Sequence, residues 1–340
     1  MNSATNKIIN VTDLSFSYGD KKILDALTFS LEKGELAVFL GRSGVGKTTF
    51  IKLLAGLEHP NAGSIKKFGI SLSDSDFFIP PNKRNIGVVF HEDSLFPHLT
   101  IFENIRLANS NMTKEEVLDY FSIFQLNIDL NKLPHQLSGG QKQRVATIRA
   151  LAQDPDIILF DEPFSALDYH LRVKLRRHLR KVLKEKGISA IFITHDREEA
   201  LLLADKIYVM NEQKIIQQGT PKEVMENPTN TYVANFLGCG LVISGDKLSA
   251  LYTDELPARK NFFIAAKDLI FKQAGSCFGL DGFITEKNIN ANNSYHYYFK
   301  IDGMAKEYGP FASQLNHELG ERITVHFPED HNQLREIEHS

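Results

Sequence analysis

The run Gly41-Arg42-Ser43-Gly44-Val45-Gly46-Lys47-Thr48-Thr49 contains the spacing G-x-x-x-x-G-K-[ST], and each residue type in it suits the binding of a triphosphate. The glycines let the backbone wrap the phosphates with its amides turned inward. A helix opening near Lys47 adds its positive dipole end, the Lys47 ammonium reaches the β and γ phosphates, and the Thr48 hydroxyl is placed to coordinate magnesium. The bland alternative is a glycine-rich turn that matches by accident. An apolar stretch at 35–40 before the loop and a helical pattern at 48–56 after it argue against that. A second apolar stretch, 156–160, ends in Asp161-Glu162-Pro163, which puts two carboxylates at the carboxyl edge of a sheet. Asp161 is expected to hold the magnesium, directly or through water, and Glu162 to polarise a water for in-line attack on the γ phosphate. Alone, the pair would read as loop carboxylates capping the next helix; beside a phosphate loop the catalytic reading prevails.

These groups need a sheet to hold them. Stretches 35–40, 156–160 and 189–194 are short, continuously apolar runs, as expected of strands buried on both faces. Helical patterns lie between them at 48–56, 141–153 and 171–186; in the last, Leu171, Leu175, Leu179, Val182 and Leu183 recur at helical spacing. The alternation predicts an α/β fold with a parallel sheet and helices on its faces. After about Gly238 the chain changes to short alternating segments, with a turn-like stretch at 290–294 and strand candidates at 295–301 and 322–327. The expected domains are 1–238 and a small β-rich 239–340.

The 340 residues, 42% hydrophobic and 24% charged, suffice for two cores and exclude wholesale disorder. A net charge of −3 argues against a protein that coats nucleic acid. Cys239 and Cys277 are too few for a disulfide framework or a four-ligand zinc site, so the cytosol is the default compartment. No apolar run approaches ~18 residues and the start lacks the pattern of a signal peptide, so neither a membrane span nor secretion is expected.

Leu137-Ser138-Gly139-Gly140-Gln141 reads first as a capping box before a helix. Together with the 41–48 loop, the Asp161-Glu162 strand end, Ser165-Ala166-Leu167-Asp168 and Thr194-His195-Asp196, it makes the sequence resemble the ATP-binding-cassette (ABC) ATPases over about residues 5–238. The resemblance implies a P-loop cassette with a helical subdomain at about 91–152, bound ATP and Mg2+, and two cassettes facing head to tail. Ser138, Gly139, Gly140 and Gln141 would then contact the γ phosphate of ATP held by the other copy's Lys47. Asp168 would support communication between the two sites, and His195 would hold the γ phosphate and attacking water near Glu162. Tyr18 looks like the aromatic that stacks on adenine, the alternative being an ordinary strand tyrosine. One position departs from the family: His91 stands where a magnesium-touching Gln is usual, and imidazole is a poorer match than oxygen for that metal.

The segments around Ser94 to Thr100, Glu103-Asn104, Gln218-Gly219-Thr220-Pro221 and Asn227-Pro228 are similar to cassettes of binding-protein-dependent importers. That similarity implies two membrane permease subunits docked near 94–104, an external substrate-binding protein, a peripheral place on the cytoplasmic face of the inner membrane, and an oligonucleotide-binding-like (OB-like) C-terminal domain. Ala265-Ala266-Lys267-Asp268 departs from the form common there. Arg197 after His195-Asp196 resembles ferric iron import cassettes; polyamine, sulfate, phosphonate and sugar import remain alternatives, as do a non-transport ABC ATPase and a weakly hydrolysing regulatory subunit. His296, His317, His326, His331 and His339 match no compact ligand pattern and read as surface residues. The basic run 172–186 reads as the solvated face of an amphipathic helix.

Overall fold

A computed structural model describes residues 6–90, 95–238, 240–248, 260–265, 269–273, 280–289, 295–302, 307–313, 318–326 and 334–338. Its packing divides the chain into a unit ending at Pro221 and a unit starting at Lys222.

The first unit holds two sheets. Strands β1 (Lys7–Tyr18), β2 (Lys21–Glu32), β4 (Ala62–Lys67) and β5 (Ile70–Ser73) form an antiparallel sheet in the order β2-β1-β4-β5. Strands β3 (Leu36–Leu40), β6 (Ile86–Val89), β7 (Ile157–Asp161), β8 (Ser189–Thr194), β9 (Lys206–Asn211) and β10 (Lys214–Gly219) form the other, in the order β10-β9-β3-β8-β7-β6. It is parallel except for β10, which runs antiparallel to β9 at one edge. Every residue of β3, β7 and β8 is buried, because each has a parallel neighbour on both sides; that is why these strands read as unbroken apolar runs.

Helices α1 (Lys47–Ala55), α2 (Ile101–Arg106), α3 (Lys114–Ile123), α4 (Gly139–Ala152), α5 (Tyr169–Lys186) and α6 (Arg197–Leu203) complete the unit. Capping boxes start three of them: Thr100 with Glu103 for α2, Thr113 with Glu116 for α3, and Ser138 with Gln141 for α4. The core beneath the 41–46 turn is aromatic. Phe39 of β3 stacks on Tyr208 at 5.0 Å and meets Phe50 of α1 at 4.7 Å, which fixes the elements on either side of the turn. Phe160 and Phe192 stack at 4.6 Å and do the same for the ends of β7 and β8.

Helix α5 corrects one expectation. Its basic run is not simply a solvated face: Arg176 is 1% exposed and its guanidinium meets Asp196 and Glu199. Arg180 and Lys184, both partly exposed, pair with Asp205. Arg176 sits one position beyond Leu175 on the border of the apolar stripe, where a long side chain can reach acids on the next helix.

The second unit takes in most of α7 (Pro221–Glu226) together with α8 (Thr231–Leu237), β11 (Gly240–Ser244) and the short α9 (Gly245–Leu248). Strands β12 (Asn261–Ala265), β13 (Ile270–Gln273), β14 (Leu280–Ile289), β15 (Tyr295–Ile301), β16 (Glu307–Ser313), β17 (Arg322–His326) and β18 (Arg335–Ile337) follow. They form a sheet β11-β12-β18 and a sheet β13-β17-β14-β15-β16, antiparallel throughout, around a core that includes Ile243, Ile264, Tyr297, Phe299 and Val325. The packing division precedes residue 238 because α7 and α8 are tied to the far end of the chain. Thr231 N donates to Glu338 O at 3.1 Å, and an Arg335 guanidinium nitrogen donates to Glu226 O at 2.8 Å. Among the described residues no helix is long and apolar enough to cross a membrane.

Candidate functional site

The turn between β3 and α1 is made by glycines that nothing else replaces. A Cβ on Gly41 would lie 2.7 Å from Met210 O; Gly46 has φ +106°, and a Cβ there would lie 2.6 Å from Ile23 O. Gly46 is also the N-cap of α1, and no side chain caps the helix, so its first amides are left for an anion. Lys47 folds back over the turn, Nζ donating to Gly41 O at 2.7 Å and Arg42 O at 2.9 Å, with the residue 5% exposed. Burial holds this ammonium below the usual lysine range, against the opposing pull of Glu162 and Asp161. Arg42, Ser43 and Gly44 line the exposed rim, and Val45 packs half-buried against the core.

Thr48 Oγ1 donates to Asp161 Oδ1 at 3.3 Å, which joins the start of α1 to the end of β7. A hydroxyl and a carboxylate at this spacing are hard oxygen donors of the kind magnesium takes, so the residues present fit that ion. His91, the third metal candidate, lies outside the described residues.

Glu162 follows Asp161 with φ +48°, a left-handed conformation uncommon for a residue with a side chain and found often at functional sites. Its backbone is held on both sides: Glu162 N donates to Ile193 O at 3.0 Å, while its carbonyl accepts from Gln143 Nε2 and Ser165 Oγ, both at 2.9 Å. The bend aims the carboxylate at the end of β8, where Oε1 lies 2.9 Å from Nδ1 of His195. The histidine side chain is 57% exposed and the glutamate 26%, so the pair borders solvent. Lys47, Thr48, Asp161, Glu162 and His195 therefore belong to one group at the carboxyl ends of β3, β7 and β8, where α/β sheets bind ligands.

A second group lies at the start of α4. Ser138 Oγ accepts from Gln141 N at 3.3 Å and Gln141 Oε1 accepts from Ser138 N at 2.9 Å, so the capping reading of these residues holds. Gly140 rests against the 166–167 turn, since a Cβ there would come 2.5 Å from a Leu167 methyl carbon and 3.1 Å from Ala166 O. Asp168, just beyond that turn, is the N-cap of α5 and accepts from Leu171 N at 3.0 Å. Tyr18 ends β1 with a ring 45% exposed, set edge-on to Phe16 at 4.8 Å. Its hydroxyl donates to Glu58 at 2.7 Å, a bond that, with partial burial, pushes the phenol above its usual range; a bond with Thr49 opposes this.

Sequence reasoning missed Gln143, Glu58, Arg172 and Arg176. Gln143 lies one turn of α4 beyond Gly139 and is 5% exposed, and a polar residue on the apolar face of a helix was the available signal. Among the described residues no group of three or more His, Cys, Asp and Glu is placed to hold a metal, and the side chains of the C-terminal histidines lie outside what is described.

A glycine loop opening a helix at the carboxyl edge of a parallel sheet, opposite a strand that ends in two carboxylates, defines the class of P-loop nucleotide-binding proteins. The family model described as ABC transporter matches residues 24–165. The chain is 40% identical over 252 residues to the Fe(3+) ions import ATP-binding protein FbpC of Haemophilus influenzae, covering 72% of this chain and 71% of that protein. It is 42% identical over 240 residues to the sulfate/thiosulfate import ATP-binding protein CysA of Bacillus cereus, covering 68% and 66%. A solved ATP-binding cassette, dimeric and in a post-hydrolysis state with ADP and Pi, superposes with a TM-score of 0.56 at 29% identity, over 63% of this chain and 98% of that one. The chain belongs to the ABC transporter ATP-binding family.

Proposed function

We propose that this chain is the ATP-hydrolysing subunit of an importer, most specifically of ferric iron, working as a pair of cassettes beneath two permease subunits at the cytoplasmic face of the membrane. The observation that carries the catalytic part is the meeting of Lys47, Thr48, Asp161, Glu162 and His195 at one sheet edge. The amides of 41–48 and the Lys47 ammonium bind the β and γ phosphates, and Tyr18 stacks on the base. Thr48 and Asp161 would hold magnesium, which would supply charge neutralisation at the phosphates. Glu162 takes a proton from the attacking water as its oxygen bonds to the γ phosphorus and the bond to the β–γ bridging oxygen breaks, releasing ADP and phosphate. His195, anchored through Nδ1 on Glu162, keeps its other ring nitrogen for the γ phosphate. Ser138, Gly139, Gly140 and Gln141 of a second copy close the site from the far side.

Substrate choice rests on relatives. The iron relative, at 40% identity and 71% coverage, and the sulfate relative, at 42% and 66%, stand close together, and Arg197 is what supports the iron reading. Phe96, 47% exposed, supports docking of a permease near 95–104, because buried Asn104 bonds to Phe96, Leu99 and Thr100 and fixes the segment that presents it. The strand order β17-β14-β15-β16 supports the OB-like reading of 239–340, for three consecutive strands with the fourth returning beside the first is a Greek key.

Steady-state hydrolysis by the purified chain tests the catalytic reading. Glu162→Gln is expected to lower turnover by ~10²–10⁴ while ATP still binds, and undiminished turnover would refute it. Restored iron uptake in a strain lacking the gene, with sulfate uptake unchanged, is the expected result for the substrate.

A further inference from the structure

We propose that Arg172 and Arg176 of α5 are positioning residues for hydrolysis, bracing from one helix the two loops that meet at the Glu162–His195 contact. This rests on the roles proposed above for Glu162 and His195. The His195 ring is more than half exposed, so little packing orients it; its place is set by the Glu162 contact and by the backbone on either side. Both neighbours are pinned. Thr194 Oγ1 accepts from Asp196 N at 2.9 Å and donates to Glu199 Oε2 at 3.1 Å. Asp196 is a junction: Oδ1 caps α6 by accepting from Glu198 N at 2.8 Å and Glu199 N at 3.2 Å, while Oδ2 faces α5. There an Arg176 guanidinium nitrogen lies at 2.5 Å and an Arg172 nitrogen at 3.6 Å.

The same two side chains touch the other loop. Arg172 donates to Leu167 O at 2.9 Å, and the Arg176 guanidinium lies 5.8 Å from the Phe164 ring, two residues beyond Glu162. Their i, i+4 spacing puts both on one face of α5, so a single rigid element spans the 163–168 turn and the 194–199 turn. Burial works against the charge on Asp196, yet Arg176 holds its carboxyl below the usual range. A buried ion pair of this kind is weak evidence of a purely stabilising role. Because Asp168 caps α5, a displacement of the 165–168 turn moves the arginines and, through Asp196, the histidine.

The test uses the full chain and compares wild type with Arg172→Met, Arg172→Lys and Asp196→Asn, reading kcat and KM for ATP and the His195 ring resonance, assigned by its loss in His195→Ala. Arg172 is partly exposed, and Arg172→Lys keeps the charge should the Met variant fail to fold. Arg172→Met and Asp196→Asn are expected to lower kcat about tenfold or more, keep KM within about twofold and shift the His195 resonance, with Arg172→Lys recovering part of kcat. An unmoved resonance, an unchanged kcat, or a KM that changes in proportion would each overturn the proposal. Wild-type turnover in Glu162→Gln and His195→Ala would instead overturn the catalytic reading beneath it.

Discussion

Helices α1 and α4 both open on glycine-rich turns, and they treat their free amides in opposite ways. Gly46 caps α1 with no side chain, so the positive end of that helix is left to a ligand. Ser138 and Gln141 satisfy each other's amides at the start of α4, which holds that turn in place at the surface with Ser138 and Gly139 exposed. In the proposed function the first turn is a receptor for a phosphate, and the second is a face offered to a phosphate held by another copy. A cassette whose site is shared between two copies needs one of each.

The largest expected effect separates the glycines of the two turns. Gly46→Ala is expected to cost about 2–4 kcal/mol in unfolding free energy, through its positive φ and its clash with Ile23 O, and to abolish ATP binding. Gly139→Ala, whose Cβ would only touch Ala166 Cβ at 3.6 Å, is expected to stay within about 0.5 kcal/mol. Equal costs in chemical denaturation would remove the distinction. Ser138→Ala comes next, with about 1 kcal/mol lost from the cap and no change in ATP affinity of the single chain; a weakened single-chain affinity would mean that α4 serves its own phosphate loop.

The smallest effect is in pH. Lys47 of the α1 turn is a titratable group that burial holds below the ordinary lysine range. Phosphate binding favours the protonated ammonium, so ATP affinity is full below that pKa and falls as pH rises through it, at a lower pH than an ordinary lysine would show. An affinity that begins to fall at a lower pH than an ordinary lysine would give, with the fall absent in Lys47→Arg, is the expected titration-calorimetry result. A flat wild-type profile would count against a buried Lys47.

Much of this contrast is legible in the sequence because its parts are contiguous. The 41–48 spacing, the Asp161-Glu162 strand end and the Ser138 cap each lie within a few residues, and strands β3, β7 and β8 announce themselves by unbroken apolar runs. What stayed hidden joins distant positions. Gln143 reaches the carbonyl of Glu162, Glu58 the hydroxyl of Tyr18, and Arg176 the acids at Asp196 and Glu199. Helical periodicity marks the apolar stripe of α5 but cannot show that an arginine on its border is drawn inward by carboxylates of another helix. The attachment of α8 to Glu338 is hidden for the same reason.

In the proposed arrangement the site closes only when a second copy supplies its α4 turn. Sedimentation of Glu162→Gln with magnesium and ATP tests it most directly. A nucleotide-dependent doubling from one chain to two is predicted, lost when Ser138→Arg is added although ATP still binds. An ATP-loaded Glu162→Gln chain that sediments as a single copy would contradict it.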